Sequence, residues 1–106
     1  MKNGSKYERH CMRKMKRHLY LFVKQCGNTN ASDFGADVIA RTLFLRKIVV
    51  QCKSYSHKVG VRAVQEVIAA RQYYGASRAA VATNSTFTRS AQKLAKACKV
   101  ELWEKY

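Results

Sequence analysis

The chain has no proline and only five glycines in 106 residues. No Pro-rich or Gly-rich linker divides it, and no internal repeat or low-complexity stretch is present. No apolar run approaches the ~18 residues that suggest a membrane-spanning helix. The polar, basic start has no apolar core of the kind a secretory signal carries. A protein that neither spans a membrane nor carries an evident export signal is therefore expected. Cys11, Cys26, Cys52 and Cys98 lie far apart, without the C-x-x-C spacing of a structural zinc site. Three of them sit in apolar or patterned runs, where a free cysteine acts as a small hydrophobe. A reducing, cytosolic setting fits that usage. The scarcest property of all is negative charge. Six Asp and Glu face 21 Lys and Arg, for a net charge of +15.

What is present points to a folded, polyanion-seeking chain. The length suits one domain over residues 1–106, with one modest core. An apolar share of 47% argues against a disordered tail. A net charge this large repels itself unless a polyanion is near, and nucleic acid is the commonest one. An anionic membrane is the next. It would call for an amphipathic helix with large exposed apolar residues, and none is evident. A basic but inert surface is the bland alternative. No motif calls for a small-molecule cofactor.

Periodicity sets out the elements. Ser5 and Glu8 have capping-box spacing at the start of a first helix. Tyr7, Cys11, Met15 and Leu19 form one apolar stripe on it, with Arg9, Arg13, Lys14, Lys16 and Arg17 between them. Leu19 to Val23 is short and rich in aromatic and branched residues, which favours a strand. Gly27 to Gly35 has loop composition. Ala36 to Arg41 and Lys47 to Cys52 are expected as strands of a hairpin, the second central and covered on both faces. Val59 to Tyr74 is a helix stopped by Gly75. Arg78 to Ala82 is a strand, Thr83 to Thr88 a polar turn, Thr88 to Ala97 a helix and Val100 to Trp103 a closing strand. The order α-β-β-β-α-β-α-β describes a mixed sheet flanked by helices, in the α/β class.

One juxtaposition carries chemistry. With the hairpin turn centred on Phe44, Asp37 lies seven residues before it and Gln51 seven after. Antiparallel pairing then sets them opposite each other. Alternation puts Lys53 on the same face and Cys52 on the other. Phosphodiester hydrolysis needs a cation to offset transition-state charge and to acidify a water. Mg²⁺ takes hard oxygen ligands, typically one or two carboxylates. Asp37 would supply a carboxylate, and the Gln51 side chain and Cys52 carbonyl would supply neutral oxygens. Lys53 would hold the attacking water and stabilise developing charge. An isolated Asp and Lys near strand ends, read on spacing alone, are as well explained by solvation or an ion pair.

The residues around them closely resemble the Mrr-like restriction endonuclease domain of the PD-(D/E)xK nuclease superfamily. The resemblance is carried by Tyr7-Glu8, by Asp33-Phe34-Gly35-Ala36-Asp37-Val38-Ile39-Ala40 and by Ile48-Val49-Val50-Gln51-Cys52-Lys53-Ser54-Tyr55. It continues through Val59-Gly60-Val61, Ala63-Val64-Gln65-Glu66, Tyr73-Tyr74-Gly75-Ala76 and Thr83-Asn84-Ser85-Thr86-Phe87-Thr88. These pieces span residues 4–103 in the family's order. The resemblance implies a Mg²⁺- or Mn²⁺-dependent DNA endonuclease of restriction-endonuclease-like fold. It implies that Asp37 binds the metal, that Gln51 and Lys53 are the Q-x-K pair, and that Glu8 is a further metal-site acid. Glu8 also fits its capping-box role equally well. Asp33 matches a loop position and suits shaping more than ligation. Gln65, one turn into the long helix, is a site-facing residue or plain surface. Two departures matter. Ala36 stands where the superfamily's naming proline would be, and Gln51 stands where many relatives carry an acid.

Lys14, Lys16 and Arg17 on the first helix, with Lys58 and Arg62 near the second, make a surface suited to phosphates, or a plain solvated face. Thr83, Ser85 and Thr88 offer hydroxyls and N–H groups at a helix start, for phosphate or for capping. The apolar Leu43-Phe44-Leu45 tip suggests a homodimer contact, or else a cover for the chain's own core. The length leaves no room for a separate DNA-reading domain, so a stand-alone nuclease is expected. A Holliday junction resolvase and a DNA-binding module without catalysis are the alternatives.

Overall fold

The computed structural model describes residues 2–25 and 36–106, with side chains from residue 6 onward. The expected loop from Gly27 to Gly35, with Asp33, lies outside the described residues, as does Cys26. The element order is α1 (Lys2–Arg17), β1 (Leu21–Gln25), β2 (Val38–Arg41), β3 (Lys47–Lys53), α2 (Val61–Tyr73), β4 (Arg78–Thr83), α3 (Arg89–Cys98) and β5 (Glu101–Trp103). This is the α-β-β-β-α-β-α-β order expected from the sequence.

The strands form one sheet in the order β1-β2-β3-β4-β5. β1–β2 and β2–β3 are antiparallel, while β3–β4 and β4–β5 are parallel. β3 is central, and Ile48, Val49 and Val50 are fully buried. That is why this run shows no alternation: both of its faces are covered. One face packs Val38, Ala40, Ile48, Val50, Ala80 and Ala82 against Cys11 and Met15 of α1. The other packs Val49, Ala79 and Val81 against Ala63, Val64, Val67 and Ala70 of α2 and Ala91 and Ala95 of α3. Small residues on β4 let both helical layers approach it closely.

The helix ends follow from local chemistry. α2 closes in a Schellman arrangement, with Gly75 at φ +63. The Gly75 amide donates to the Gln72 carbonyl and the Ala76 amide to the Arg71 carbonyl. Thr88 caps α3, its Oγ1 accepting from the Ala91 amide at 3.2 Å.

Two expectations at the start of the chain are corrected. α1 begins at Lys2, so Ser5 lies within the helix and not at its start. The apolar stripe holds for Cys11 and Met15 but fails at Leu19, which is 61% exposed. α1 ends at Arg17, and Leu19 turns the chain at φ 70. β1 accordingly starts later than expected, at Leu21. A bulge between Leu21 and Lys24 puts Phe22 at φ 50 and 75% exposed.

Phe87 is 1% exposed beneath α2 and α3, so Phe87→Ala should cost about 3–5 kcal/mol. Thr88→Ala next to it removes only a cap and should cost about 1 kcal/mol. Urea denaturation of both variants checks that contrast.

Candidate active site at the end of the central strand

The β2–β3 ladder runs Arg41↔Lys47, Ala40↔Ile48, Ile39↔Val49 and Val38↔Val50. This is the register that a turn centred on Phe44 requires. One further step would pair Asp37 with Gln51, but Asp37 departs from the ladder. Its amide donates to the Val50 carbonyl at 2.8 Å. Its Oδ2 accepts from the Cys52 amide, also at 2.8 Å. A side-chain carboxylate thus takes a backbone donor of β3 and is fixed at that strand's outgoing end.

Among the described residues, the buried polar side chains are Asp37, Gln51 and Thr83. All three lie at this end of the sheet, since Lys53 pairs with Thr83 in the parallel register. Burying polar groups is unfavourable unless each finds a partner. The Gln51 amide makes only half of its set. Its Nε2 donates to Glu66 Oε1 at 3.1 Å, while its Oε1 is buried with no hydrogen-bond partner among the described residues. Lys53 Nζ lies 3.7 Å from the same Glu66 oxygen.

On the α1 side, Glu8 Oε1 accepts from Gln25 Nε2 at 2.5 Å, so Glu8 ties α1 to the end of β1. The Cys52 thiol points into this side of the sheet. Contact with the Cys11 thiol, followed by burial, pushes it well above its ordinary range, and the Asp37 and Glu8 charges add to that. The thiol therefore stays protonated, and Cys52 offers the site its backbone alone.

The donor set fits a hard cation. Asp37 brings a carboxylate, Gln51 an unsatisfied amide oxygen and Cys52 a carbonyl, all oxygen donors. Among the described residues no group of three or more His, Cys, Asp and Glu gathers around one point. A cation here would rely on neutral oxygens beside its carboxylate.

The remaining sequence candidates separate clearly. Lys16, Arg17, Lys58 and Arg62 are exposed. Lys14 is engaged elsewhere: its Nζ donates to the Tyr106 carbonyl at 2.7 Å and lies 4.2 Å from that ring's centre. Thr83 is fully buried and its Oγ1 accepts from the Ser85 amide, so it shapes the turn and cannot reach a phosphate. Ser85 accepts the Lys105 amide on its carbonyl, and Thr88 serves as the α3 cap. Gln65 is exposed, whereas Glu66, one residue on, meets Gln51 and Lys53. Glu66 was not singled out from the sequence. Its signal was there: Ala63, Val67 and Ala70 define the buried face of α2, and a turn of ~100° per residue sets 66 on its flank and 65 behind it. The Leu43-Phe44-Leu45 tip does not cover the core, since Phe44 is 88% exposed. It lies at the opposite end of the sheet from Asp37.

A mixed five-stranded sheet with α1 on one face and α2 and α3 on the other, and buried polar groups at the outgoing end of β3, defines a restriction-endonuclease-like fold. The chain belongs to the Mrr catalytic-domain family of restriction endonucleases, whose family model matches residues 2–106. No curated protein matches its sequence. A crystal structure of a protein of unknown function superposes with a TM-score of 0.75 over 92% of the chain, at 19% identity. A complex of EndoMS with double-stranded DNA gives 0.70 over 98% at 13% identity. A repair endonuclease from Pyrococcus abyssi gives 0.52 over 65% at 22% identity. At these identities the likeness is one of fold. The chain covers 55%, 45% and 31% of those three chains, so it spans about half of their length or less.

Asp37→Asn keeps an acceptor for the Cys52 amide and should fold with nearly the parent's stability. Asp37→Ala leaves that donor without its acceptor and should cost about 1–3 kcal/mol. Thermal and urea unfolding of the pair separates the structural role of this carboxylate from the role of its charge.

Proposed function

We propose that this chain is a DNA endonuclease that hydrolyses phosphodiester bonds with Mg²⁺ or Mn²⁺. The observation that carries the reading is the gathering of Asp37, Gln51 and Lys53 at one strand end, with the buried Gln51 Oε1 left without a partner among the described residues. Family membership supports it, and the net charge of +15 suits a polyanionic substrate. Asp37, the Gln51 oxygen and the Cys52 carbonyl would hold the cation. Glu8, near Cys52 on the α1 side, is the further acid that could reach the site. A bound divalent cation supplies neutralisation of phosphate charge and a more acidic water. Lys53 contributes an ammonium group at the same strand end, placed to hold the attacking water and to stabilise negative charge as it develops.

The exposed bases Lys16, Arg17, Lys58 and Arg62 would track phosphates, and such contacts position the duplex without reading its sequence. The proposed homodimer would meet at the Leu43-Phe44-Leu45 tip. Seven residues of strand at ~3.3 Å each place that tip roughly 23 Å from the site. Two centres joined tip to tip would then stand up to roughly 46 Å apart. That spacing suits widely separated cuts rather than a close staggered pair. Light scattering at micromolar protein should show a dimer, and a Phe44→Lys variant should shift it to monomer.

Plasmid and four-way-junction cleavage, with and without Mg²⁺, tests the enzyme. Asp37→Ala and Lys53→Ala should each lose at least ~100-fold in rate. If both variants cut like the parent, the site is elsewhere. If no preparation cuts while all bind DNA, the chain is a binding module. A preference for junctions over linear duplex at equal salt would make it a junction resolvase. In a salt titration of DNA affinity, Lys16→Ala with Arg17→Ala should flatten the log–log slope by up to ~1.8, because each lost phosphate contact removes ~0.9.

A further inference from the structure

Glu66 stands outside the set of groups that would touch a cation or a phosphate, yet two of those groups lean on it. Its Oε1 accepts from Gln51 Nε2 at 3.1 Å and lies 3.7 Å from Lys53 Nζ. Gln51 is buried, and the two ends of a primary amide have nearly the same shape. Sterics alone therefore do little to choose which end faces α2. A carboxylate does choose, because it only accepts. It requires the NH₂ end and repels the oxygen, and it does so in a buried setting where such preferences strengthen. The result is visible in the other half of the amide. Oε1 is turned away from Glu66 into a buried position without a hydrogen-bond partner among the described residues. Leaving a buried acceptor without a partner is unfavourable, so its orientation is explained by what it is held for.

We propose that Glu66 is a positioning residue, which fixes the Gln51 amide so that its oxygen is presented to a divalent cation at the end of β3. The inference rests on the metal-dependent reading above. It also accounts for the missing strand acid. The negative charge absent from β3 stands on α2, one hydrogen bond behind the amide, where it orients a neutral ligand and keeps an ammonium group close by.

Titration of Mn²⁺ against folded protein, followed by the electron paramagnetic resonance signal of the free ion, tests this without any cleavage. Thermal unfolding is measured in parallel. Glu66→Gln should weaken Mn²⁺ binding about 10-fold or more, the usual effect of losing a group that orients a ligand, while the melting temperature stays close to the parent's. The exchange variant, carrying Gln51→Glu with Glu66→Gln, puts the carboxylate on β3 and the amide on α2, and should recover the lost affinity. Lys53→Met removes the ion pair but spares the Gln51 contact, so its Mn²⁺ affinity should hold or rise. Loss in Lys53→Met equal to that in Glu66→Gln would point to the ion pair and overturn the proposal. Binding that needs Asp37 but ignores Glu66→Gln would overturn the proposal alone. A parent that takes up no Mn²⁺ would overturn the metal reading and this inference with it.

Discussion

The hydrogen bond from the Cys52 amide to Asp37 Oδ2 is the constraint on which the proposed site depends. A sheet normally ends by letting its ladder fray into solvent. Here the ladder stops at Val38↔Val50, and a carboxylate, not a backbone carbonyl, takes the next β3 donor. The consequence is rigidity where a loop would otherwise begin. Asp37 is held from two directions, through its own amide to Val50 and through its side chain to Cys52. Charge-assisted bonds to a backbone N–H are stronger than neutral ones. Gln51 and Lys53, which flank Cys52 on the other face of β3, are therefore indexed to the same acid.

The distribution of charge sharpens this. With six acids among 106 residues, every carboxylate in a structured position has many cations to choose from. Arg78 takes Glu101 in a two-pronged contact at 2.7 and 2.8 Å, at the opposite end of β4 from Thr83. The Asp37 carboxylate accepts from the Cys52 amide, and Glu66 accepts from the Gln51 side-chain amide on the same oxygen that lies 3.7 Å from Lys53 Nζ. Two of the six carboxylates thus bond to amides near one strand end, and one of them is shared with an ammonium group. The exposed Lys58 and Arg62, one between β3 and α2 and the other in the first turn of α2, carry the opposite sign that a phosphate backbone would need in the proposed reading.

Much of the fold was legible because it follows from periods. β3 reads as central from three consecutive branched apolar residues, and the hairpin register follows from its symmetric turn even without Gly or Asn at the tip. Helix ends marked by Gly75 and Thr88 were equally plain. What was not legible depends on backbone states that the residue types disguise. Leu19, Phe22 and Leu45 all adopt positive φ, a region non-glycine residues rarely enter, so neither the end of α1 nor the bulge of β1 leaves a signature. The site shows the same division. Gln51 and Lys53 lie along β3, where a period of two leaves little ambiguity about facing, and Asp37 directly precedes β2. Glu66 and Gln65 lie on a helix, where one residue of phase moves a side chain from the flank to the back. Lys14 and Thr83 meet partners, Tyr106 and Ser85, that come from chain closure and a turn that no local pattern reveals.

The two faces of β3 divide the work that a single strand end could not do alone. On the α1 face, Cys52 contributes a thiol kept neutral by Cys11 and by burial, with the Asp37 and Glu8 charges adding to the effect. On the α2 face, Gln51 and Lys53 meet a helix that carries an acid at the matching height. The absence of an acid at position 51 is then less a deficit than a redistribution. A strand carboxylate there would face the Glu66 carboxylate at close range, and two such groups cannot both ionise cheaply. An amide between Glu66 and a cation avoids that conflict and transmits orientation without adding like charge. Gln51 and Glu66 are on this view a single unit, in which either residue makes sense only with the other in place.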